Sequence, residues 1–285
     1  MPGKVRPSGN GAKKPKRARN GAADPGSTDR RSLFPDDIRP DFDGFRPEAF
    51  TFLRRLKRNN DRAWFLANRD AYDNEVRFPL ECLIAEFAPD RAAGRGLAVR
   101  GDAGRALFRI HRDVRFSKEK KPYKTHAGAV LSRTGGRGEE GVVYVHIEPG
   151  GCRVSAGFWR PEPHVLTAWR NRMVDDPEAW LDIVRPYADP KGRMFMRTIS
   201  ALTTLPRGFQ GHSGSEVAPY LRWKSFLLTR LVSDDEAKSR ALVNVVRTVA
   251  RAATPLLAYG WELVDAPGAT DPRRHATAVA LRNRD

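Results

Sequence analysis

The sequence predicts an α+β protein in which an antiparallel β-sheet is flanked by helices. Between residues 47 and 87, apolar residues recur every three to four positions, which is the period of a half-buried helix. Between residues 142 and 159, apolar and polar residues alternate on both sides of a Pro149-Gly150-Gly151 turn, as they do in a hairpin with one buried face. Helical periodicity returns after residue 163. We therefore expect helices before and after a central sheet.

An N-terminal helical segment is expected to open the domain. Pro47 suits the first turn of a helix, where its missing N–H would have no partner, and the Glu48 carboxylate complements the positive helix end. Asp61 is a candidate N-cap for a second helix, because its side chain can accept a hydrogen bond from the first turn. A third, shorter helix is predicted to begin at Pro79.

Strands are predicted where the period of the sequence becomes two. Apolar and polar residues alternate in residues 106–110, 142–148 and 153–159. Residues 127–133 and 225–232 are further candidate strands. Their arrangement along the chain is typical of an antiparallel sheet with one face buried.

A long C-terminal helix is expected at the end of the domain. Ser233 is a candidate N-cap, and the three acidic residues after it suit the positive helix end. Apolar residues at helical spacing lie between residues 241 and 249, and Pro255 is expected to kink or end the helix. Two earlier helices are predicted to begin near His164 and Asp176.

The chain is predicted to contain one folded domain and two tails. Residues 1–41 are expected to form a disordered basic tail, residues 42–265 a single α+β domain, and residues 266–285 a frayed C-terminal tail. Val5 is the only large aliphatic residue before Leu33, so this part of the chain cannot bury enough surface to offset the entropy cost of ordering. A chain of 285 residues, 40% of them hydrophobic, can bury a substantial core.

The chain is strongly basic, with a formal net charge of +17 and a pI of about 10.4. Such a charge predicts attraction to polyanions and says nothing about the fold. Residues 1–31 contain nine Lys or Arg residues and two Asp residues. We interpret the tail either as a nucleic-acid-binding arm or as a solubilising tail without a partner.

The sequence predicts a cytoplasmic protein that does not enter a membrane. The N-terminus lacks the apolar stretch of a secretory signal, and no run of about 18 apolar residues is present. Cys82 and Cys152 are isolated, which indicates a reducing compartment and two small buried hydrophobic side chains. The six histidines show no metal-ligand spacing, so we expect no metal site and no cofactor.

Residues 109–126 (RIHRDVRFSKEKKPYKTH) form a dense cationic segment, called here the basic segment. Its Arg guanidinium groups match the oxygens of phosphate or carboxylate, and its Lys side chains add mobile charge. Clustered cations repel one another, so either protein carboxylates or a bound anion must compensate them. The candidate anion-binding residues are Arg109, Arg112, Arg115, Lys118, Lys120, Lys121, Tyr123 and Lys124.

The strand that begins at Ala106 sets the expected directions of these side chains. If it continues to Arg115, Arg109, His111, Asp113 and Arg115 project from one face. The core face would then carry Phe108 and Ile110, with Arg112 pointing inward beside a carboxylate or carbonyl partner.

Three functions are compatible with the basic segment. The first is binding of an anionic, phosphate-bearing ligand, with a small ligand preferred over sequence-specific DNA because no known nucleic-acid motif is present. The second is a metal-independent enzyme that acts on a phosphorylated substrate, in which His111 and Asp113 would move protons. The third is a structural or partner-binding module in which the Arg and Asp residues hold the fold. The sequence alone leaves open whether the protein is an enzyme.

The basic segment also resembles the signature RxxRDxRFxxxKxPYKxN of an uncharacterised microbial family, a domain of unknown function (number 2461). The matching residues are Arg109, Arg112, Asp113, Arg115, Phe116, Lys120 or Lys121, Pro122, Tyr123 and Lys124. Three further stretches look like family motifs: Asn59-Asn60, Arg62, Trp64-Phe65 and Tyr72; Gly157, Trp159 and Pro161; and Pro206, Gly208 and Phe209.

The resemblance covers roughly residues 45–264 and implies a bacterial-type cytosolic protein with no established activity, cofactor or substrate. This chain departs from the signature at its last position, where it has His126 and the signature has Asn.

Overall fold

A computed structural model describes residues 39–115 and 118–266. The two predicted tails lie outside these residues, apart from residues 39–41 and Ala266. The described part is an α+β structure, as the sequence predicts, with one antiparallel sheet and helices on either side of it in the chain.

Twelve α-helices lie in the described part of the chain. They are α1 (Pro47–Arg58), α2 (Arg62–Ala67), α3 (Arg69–Tyr72), α4 (Phe78–Ala85), α5 (Pro89–Ala93), α6 (Ala103–Ala106), α7 (Pro163–Asp175), α8 (Pro177–Val184), α9 (Ala218–Leu221), α10 (Asp234–Ala237), α11 (Ala241–Ala252) and α12 (Thr254–Asp265). A π-helical turn, Asp73–Arg77, joins α3 to α4.

The sheet has five strands in the order β1-β2-β3-β5-β4, and every neighbouring pair is antiparallel. The strands are β1 (Ala127–Leu131), β2 (Val142–Ile147), β3 (Arg153–Phe158), β4 (Phe195–Arg197) and β5 (Phe226–Leu231). Four of them lie within the predicted strand segments, whereas β4 was not predicted.

The predicted helix caps form as expected. The Asp61 carboxylate accepts a hydrogen bond from the Trp64 amide at the start of α2. Ser233 and Glu236 form a capping box at α10, in which each side chain bonds the backbone N–H of the other residue. These contacts satisfy amide groups that have no partner within the helix, and so fix where each helix begins.

The C-terminal helical region is divided into three helices. Pro255 lies in the first turn of α12, where α11 and α12 meet at a bend of 55°. Both helices pack on the sheet, α11 against β2, β3 and β5 and α12 against β3. In the described part of the chain, no single helix is long and apolar enough to cross a membrane, and α11 and α12 meet that criterion only as a bent pair.

One hydrophobic core joins residues from Phe42 to Tyr259. Its centre is aromatic, because the Trp169 ring stacks on Phe226 at 4.3 Å and meets Trp180 edge to face at 6.0 Å. Cys82 and Cys152 are buried and do not form a disulfide.

The segment before β1 differs from its prediction. Residues 103–106 form α6, and residues 107–112 are extended but pair with the chain only through isolated bridges, Leu107 to Ala129 and His111 to Tyr123. Asp102 caps α6 by accepting a hydrogen bond from the Gly104 amide, so that Ala106, the first residue of the predicted strand, ends this helix instead. The extended segment covers the outer edge of β1.

Candidate functional site

The two faces of the sheet differ in chemistry. On one face Val143, Val145 and Val154 are fully buried against the helices. The strand register places polar side chains on the opposite face, called here the polar sheet face. Its members are Tyr144 and His146 on β2, Arg153 and Ser155 on β3, Arg197 on β4 and Thr229 on β5.

His146 lies at the centre of a hydrogen-bonded chain on this face. Its Nδ1 atom lies 3.2 Å from Arg153 Nη2, and its Nε2 atom lies 3.1 Å from Glu148 Oε2. A guanidinium can only donate, so Nδ1 accepts and the ring proton is on Nε2, which donates to Glu148. The Tyr144 hydroxyl lies 3.1 Å from the same Nδ1 atom.

The position of Tyr144 depends on a glycine in the neighbouring strand. Gly128 pairs with His146 across β1 and β2, and a Cβ atom on Gly128 would lie 2.6 Å from the Tyr144 hydroxyl oxygen. The absence of a side chain at Gly128 lets the tyrosine ring lie over β1. Burial raises the pKa of Tyr144 to about 12, so the hydroxyl stays protonated at neutral pH.

His126 stacks on His146, with ring centroids 4.3 Å apart. Burial lowers the pKa of each imidazole to about 3. The charge of Arg153 lowers the pKa of His146 further, and the neighbouring His146 and Lys124 lower that of His126. Both rings are therefore neutral at physiological pH and present nitrogen lone pairs or N–H donors rather than charge.

Two half-buried arginines carry positive charge on this face. The Arg153 guanidinium bonds the Gly151 carbonyl and His146, and burial together with the charge of Arg153 lowers the pKa of Arg197. Among residues 39–115 and 118–266, no carboxylate lies within 4.0 Å of either guanidinium. This charge is therefore not compensated by a direct ion pair in the described structure.

Lys124 connects the basic segment to the polar sheet face. Its ammonium group lies 5.5 Å from the Phe108 ring centroid, and the Phe108 ring meets Tyr144 edge to face at 5.7 Å. After burial and the neighbouring His146, the charge of Lys124 is the next cause that lowers the pKa of His126. Of the predicted anion-binding residues, Lys124 is the one that the structure connects to the histidine pair.

Several other cations of the basic segment are paired with acidic side chains. Asp113 forms a two-point ion pair with Arg115, at 3.0 Å to Nε and 2.7 Å to Nη2. Glu119 lies 3.0 Å from Arg112 and 2.9 Å from Lys121. Arg112 is 31% exposed and finds its carboxylate in the following turn, whereas the sequence predicted that it points into the core.

The remaining cations of the basic segment lie at the surface. Arg109, Lys118 and Lys120 are exposed, and Lys120 donates to the Val114 carbonyl at 3.1 Å. Residues 116 and 117 lie outside the described part of the chain. The predicted cations therefore fall into three groups. Arg112, Arg115 and Lys121 are paired with carboxylates, Arg109, Lys118 and Lys120 are exposed, and Lys124 lies beside Phe108 near the polar sheet face.

Tyr123 has a structural position. Its ring stacks on Phe65 at 4.1 Å and is buried, and His111 packs beside both rings. Asn60 bonds the Tyr123 backbone at both its N–H and its carbonyl, each at 3.0 Å. These contacts attach the end of the basic segment to the N-terminal helices.

Sequence reasoning missed the residues that form the polar sheet face. Histidine spacing along the chain predicted no metal site, but His126 and His146 lie on adjacent strand segments and meet in space. The signal was present, because His146 and Glu148 share one face of a predicted strand and His126 directly precedes another. Arg197 was missed together with β4.

Comparison with known proteins gives a family and no activity. No curated protein and no solved structure shows a significant match to the chain. The family model described as a conserved hypothetical protein (DUF2461) matches residues 48–259, which include all five strands and the described part of the basic segment. The chain therefore belongs to the DUF2461 family of conserved hypothetical proteins.

Proposed function

We propose that the protein binds a phosphate-bearing anion on the polar sheet face, with Arg153 and Arg197 as the principal contacts. The observation that carries this proposal is their half-buried positive charge, which has no carboxylate within ion-pair distance in the described residues. A desolvated cation without a countercharge is costly, and a bound anion would remove that cost.

The chemistry of these groups favours phosphate over a simple halide. A guanidinium presents parallel N–H groups whose spacing matches two oxygens of a phosphate. Lys124 adds a charge beside Phe108 and Tyr144, near the histidine pair. Ser155 and Thr229 are buried and bond each other at 2.9 Å, which ties β3 to β5 between the two arginines. The set resembles a site for an oxyanion of two or more charges.

Space for a larger ligand lies at the edge of this face. An open hollow of about 390 Å³ is lined by Phe195 and Leu231, which share the face of Arg197 and Arg153. Lys191, Arg193 and the Arg230–Glu236 ion pair complete its lining, and Arg153 and Arg197 lie outside it. Its volume falls within the range of small-ligand sites. The proposed ligand is therefore a small organic phosphate whose apolar part would contact Phe195 and Leu231.

Isothermal titration of the full chain with inorganic phosphate tests the site. Arg153→Gln and Arg197→Gln should each weaken phosphate binding about tenfold, which corresponds to about 1.4 kcal/mol for one charged hydrogen bond. Arg172→Gln is the matched control, because Arg172 is also half-buried but is paired with Glu262 at 2.6 Å. This control should bind phosphate like the wild type.

Two results would contradict the proposal. One is a wild-type protein that binds phosphate no more tightly than chloride at equal ionic strength. The other is unchanged binding in Arg153→Gln and Arg197→Gln variants whose circular dichroism spectra match the wild type.

The enzymatic alternative can be tested with the same protein. Asp113 uses both carboxylate oxygens in its ion pair with Arg115, and His111 packs against aromatic rings. Proton transfer by these two residues would require the ion pair to open. Phosphoester hydrolysis that is lost in both His111→Ala and Asp113→Asn would support the enzymatic function over simple binding.

A further inference from the structure

We infer that His126, His146 and Glu148 form a binding site for a divalent first-row transition-metal ion. One ring nitrogen from each histidine and one carboxylate oxygen lie within 4.8 Å of one another. His146 Nε2 and Glu148 Oε2 are 3.1 Å apart. Metal bonds of about 2.1 Å place neighbouring ligand atoms about 3.0–3.4 Å apart, so this pair already has the required spacing.

The backbone around these residues is well fixed. His146 lies within β2, and Glu148 follows two residues later on the same side, just before the Pro149-Gly150 turn. His126 directly precedes β1, the neighbour of β2. The His126 nitrogen lies within 4.8 Å of the other two ligand atoms, and metal binding would have to draw it to the spacing that those two already have.

The ligand types select the metal class. Two imidazoles and one carboxylate suit zinc, cobalt or iron in the divalent state, whereas calcium and magnesium prefer sites made of oxygen atoms. Three protein ligands leave at least one coordination position for water or another ligand.

Metal binding would change the hydrogen bonds of His146. Its Nε2 atom must give up the proton that now points to Glu148, and the neutral ring then carries its proton on Nδ1. Nδ1–H can donate to the Tyr144 hydroxyl oxygen at 3.1 Å, but it can no longer accept from Arg153. Metal binding would therefore release the Arg153 guanidinium from the histidine.

The surrounding charges connect this site to the proposed anion site. The positive charges of Arg153 and Lys124 both act on the histidines, and they would repel a divalent metal ion bound there. An anion on the polar sheet face would offset that repulsion and could occupy the open metal position. This coupling, unlike the metal site itself, rests on the proposed function.

Cobalt(II) titration of the untagged full chain, followed by visible absorption, tests the site. The protein is first treated with EDTA, and sulfate serves as the oxyanion because cobalt phosphate precipitates. We expect one Co²⁺ per chain, with tighter uptake in sulfate than in chloride. His126→Asn and His146→Asn should weaken uptake at least about tenfold, because loss of even an outer partner costs a metal site about 10- to 100-fold.

The matched control is His164→Asn, which removes an exposed histidine at the start of α7. Cobalt uptake that is lost in the two site variants and kept in this control supports the metal site. If neither Co²⁺ nor Zn²⁺ binds the wild type in chloride or sulfate, or if the site variants bind like the wild type, the metal site is refuted. Uptake that depends on both histidines but not on sulfate refutes only the coupling to the anion.

Discussion

The buried histidine pair should make the stability of the protein fall steeply in mild acid. The pKa of both His126 and His146 is lowered to about 3 in the folded state, against about 6.5 in an unfolded chain. The unfolded state therefore binds more protons below pH 6.5. The stabilising contribution of the neutral pair is fully present above about pH 6.5 and is lost progressively as the pH falls towards about 3.

The size of the effect follows from the pKa difference. A pH of about 5 lies about 1.5 units below the pKa of a histidine in the unfolded chain. At about 1.4 kcal/mol per unit, each buried histidine then lowers the free energy of unfolding by about 2 kcal/mol. Between about pH 7.5 and about pH 5, the pair should thus lower the free energy of unfolding by about 4 kcal/mol, which is a large share of the stability of a typical domain.

Urea unfolding at the two pH values, with EDTA present, measures this cost. The double variant His126→Asn/His146→Asn has no imidazole at either position, and Asn is the residue that the family signature has at position 126. Over the same pH interval, its free energy of unfolding should fall by about 4 kcal/mol less than that of the wild type. His164→Asn controls for the loss of an exposed imidazole. An equal pH dependence in the wild type and the double variant would show that the pair is not buried in its neutral form.

Three further substitutions test contacts of the candidate site and of the surrounding fold. Asn60→Ala removes both hydrogen bonds to the Tyr123 backbone, should cost about 2 kcal/mol, and should speed tryptic cleavage within the basic segment; unchanged cleavage would contradict this anchoring. Glu86→Gln removes the charge of a carboxylate that is 1% exposed and pairs with Arg240 at 3.1 Å and with two other arginines. Urea unfolding should show a loss of about 2–3 kcal/mol in the free energy of unfolding, which is less than for a fully buried ion pair because those arginines are partly exposed. Gly128→Ala should displace the Tyr144 ring and lower the melting temperature, with a cost of about 1–3 kcal/mol typical of overpacking, whereas a melting temperature like that of the wild type would show that the ring has room to move.

Much of the fold could be predicted from local patterns. The caps at Asp61 and Ser233 and the break at Pro255 depend on a few neighbouring residues, and each was predicted. The strand β4 was not, because it has three residues and no residue in it is fully buried or fully exposed, so no alternation marks it. Residues 106–110 show the opposite case, in which apolar alternation was present but Ala106 ends α6 and the residues after it join the sheet only through an isolated bridge at Leu107.

The candidate site was harder to predict because its residues come from different strands. The basic segment stood out by charge density, but charge density does not show whether carboxylates such as Glu119 and Asp113 already pair with it. His126, His146 and Arg153 meet only through the register of β1, β2 and β3. Long-range pairing of this kind is set by the whole sheet and is not visible in spacing along the chain.

The extended segment 107–112 has a consequence for movements near the proposed ligand site. It seals the outer edge of β1 through the Phe108 amide, which donates to the Gly128 carbonyl at 2.9 Å, while the Lys124 amide donates to the Ile110 carbonyl at 2.7 Å. An unsealed strand edge invites pairing with another chain. The basic segment therefore cannot swing outward from these positions without exposing the unpaired backbone groups of β1. A ligand on the polar sheet face, as proposed above, would have to bind while this strand edge stays closed.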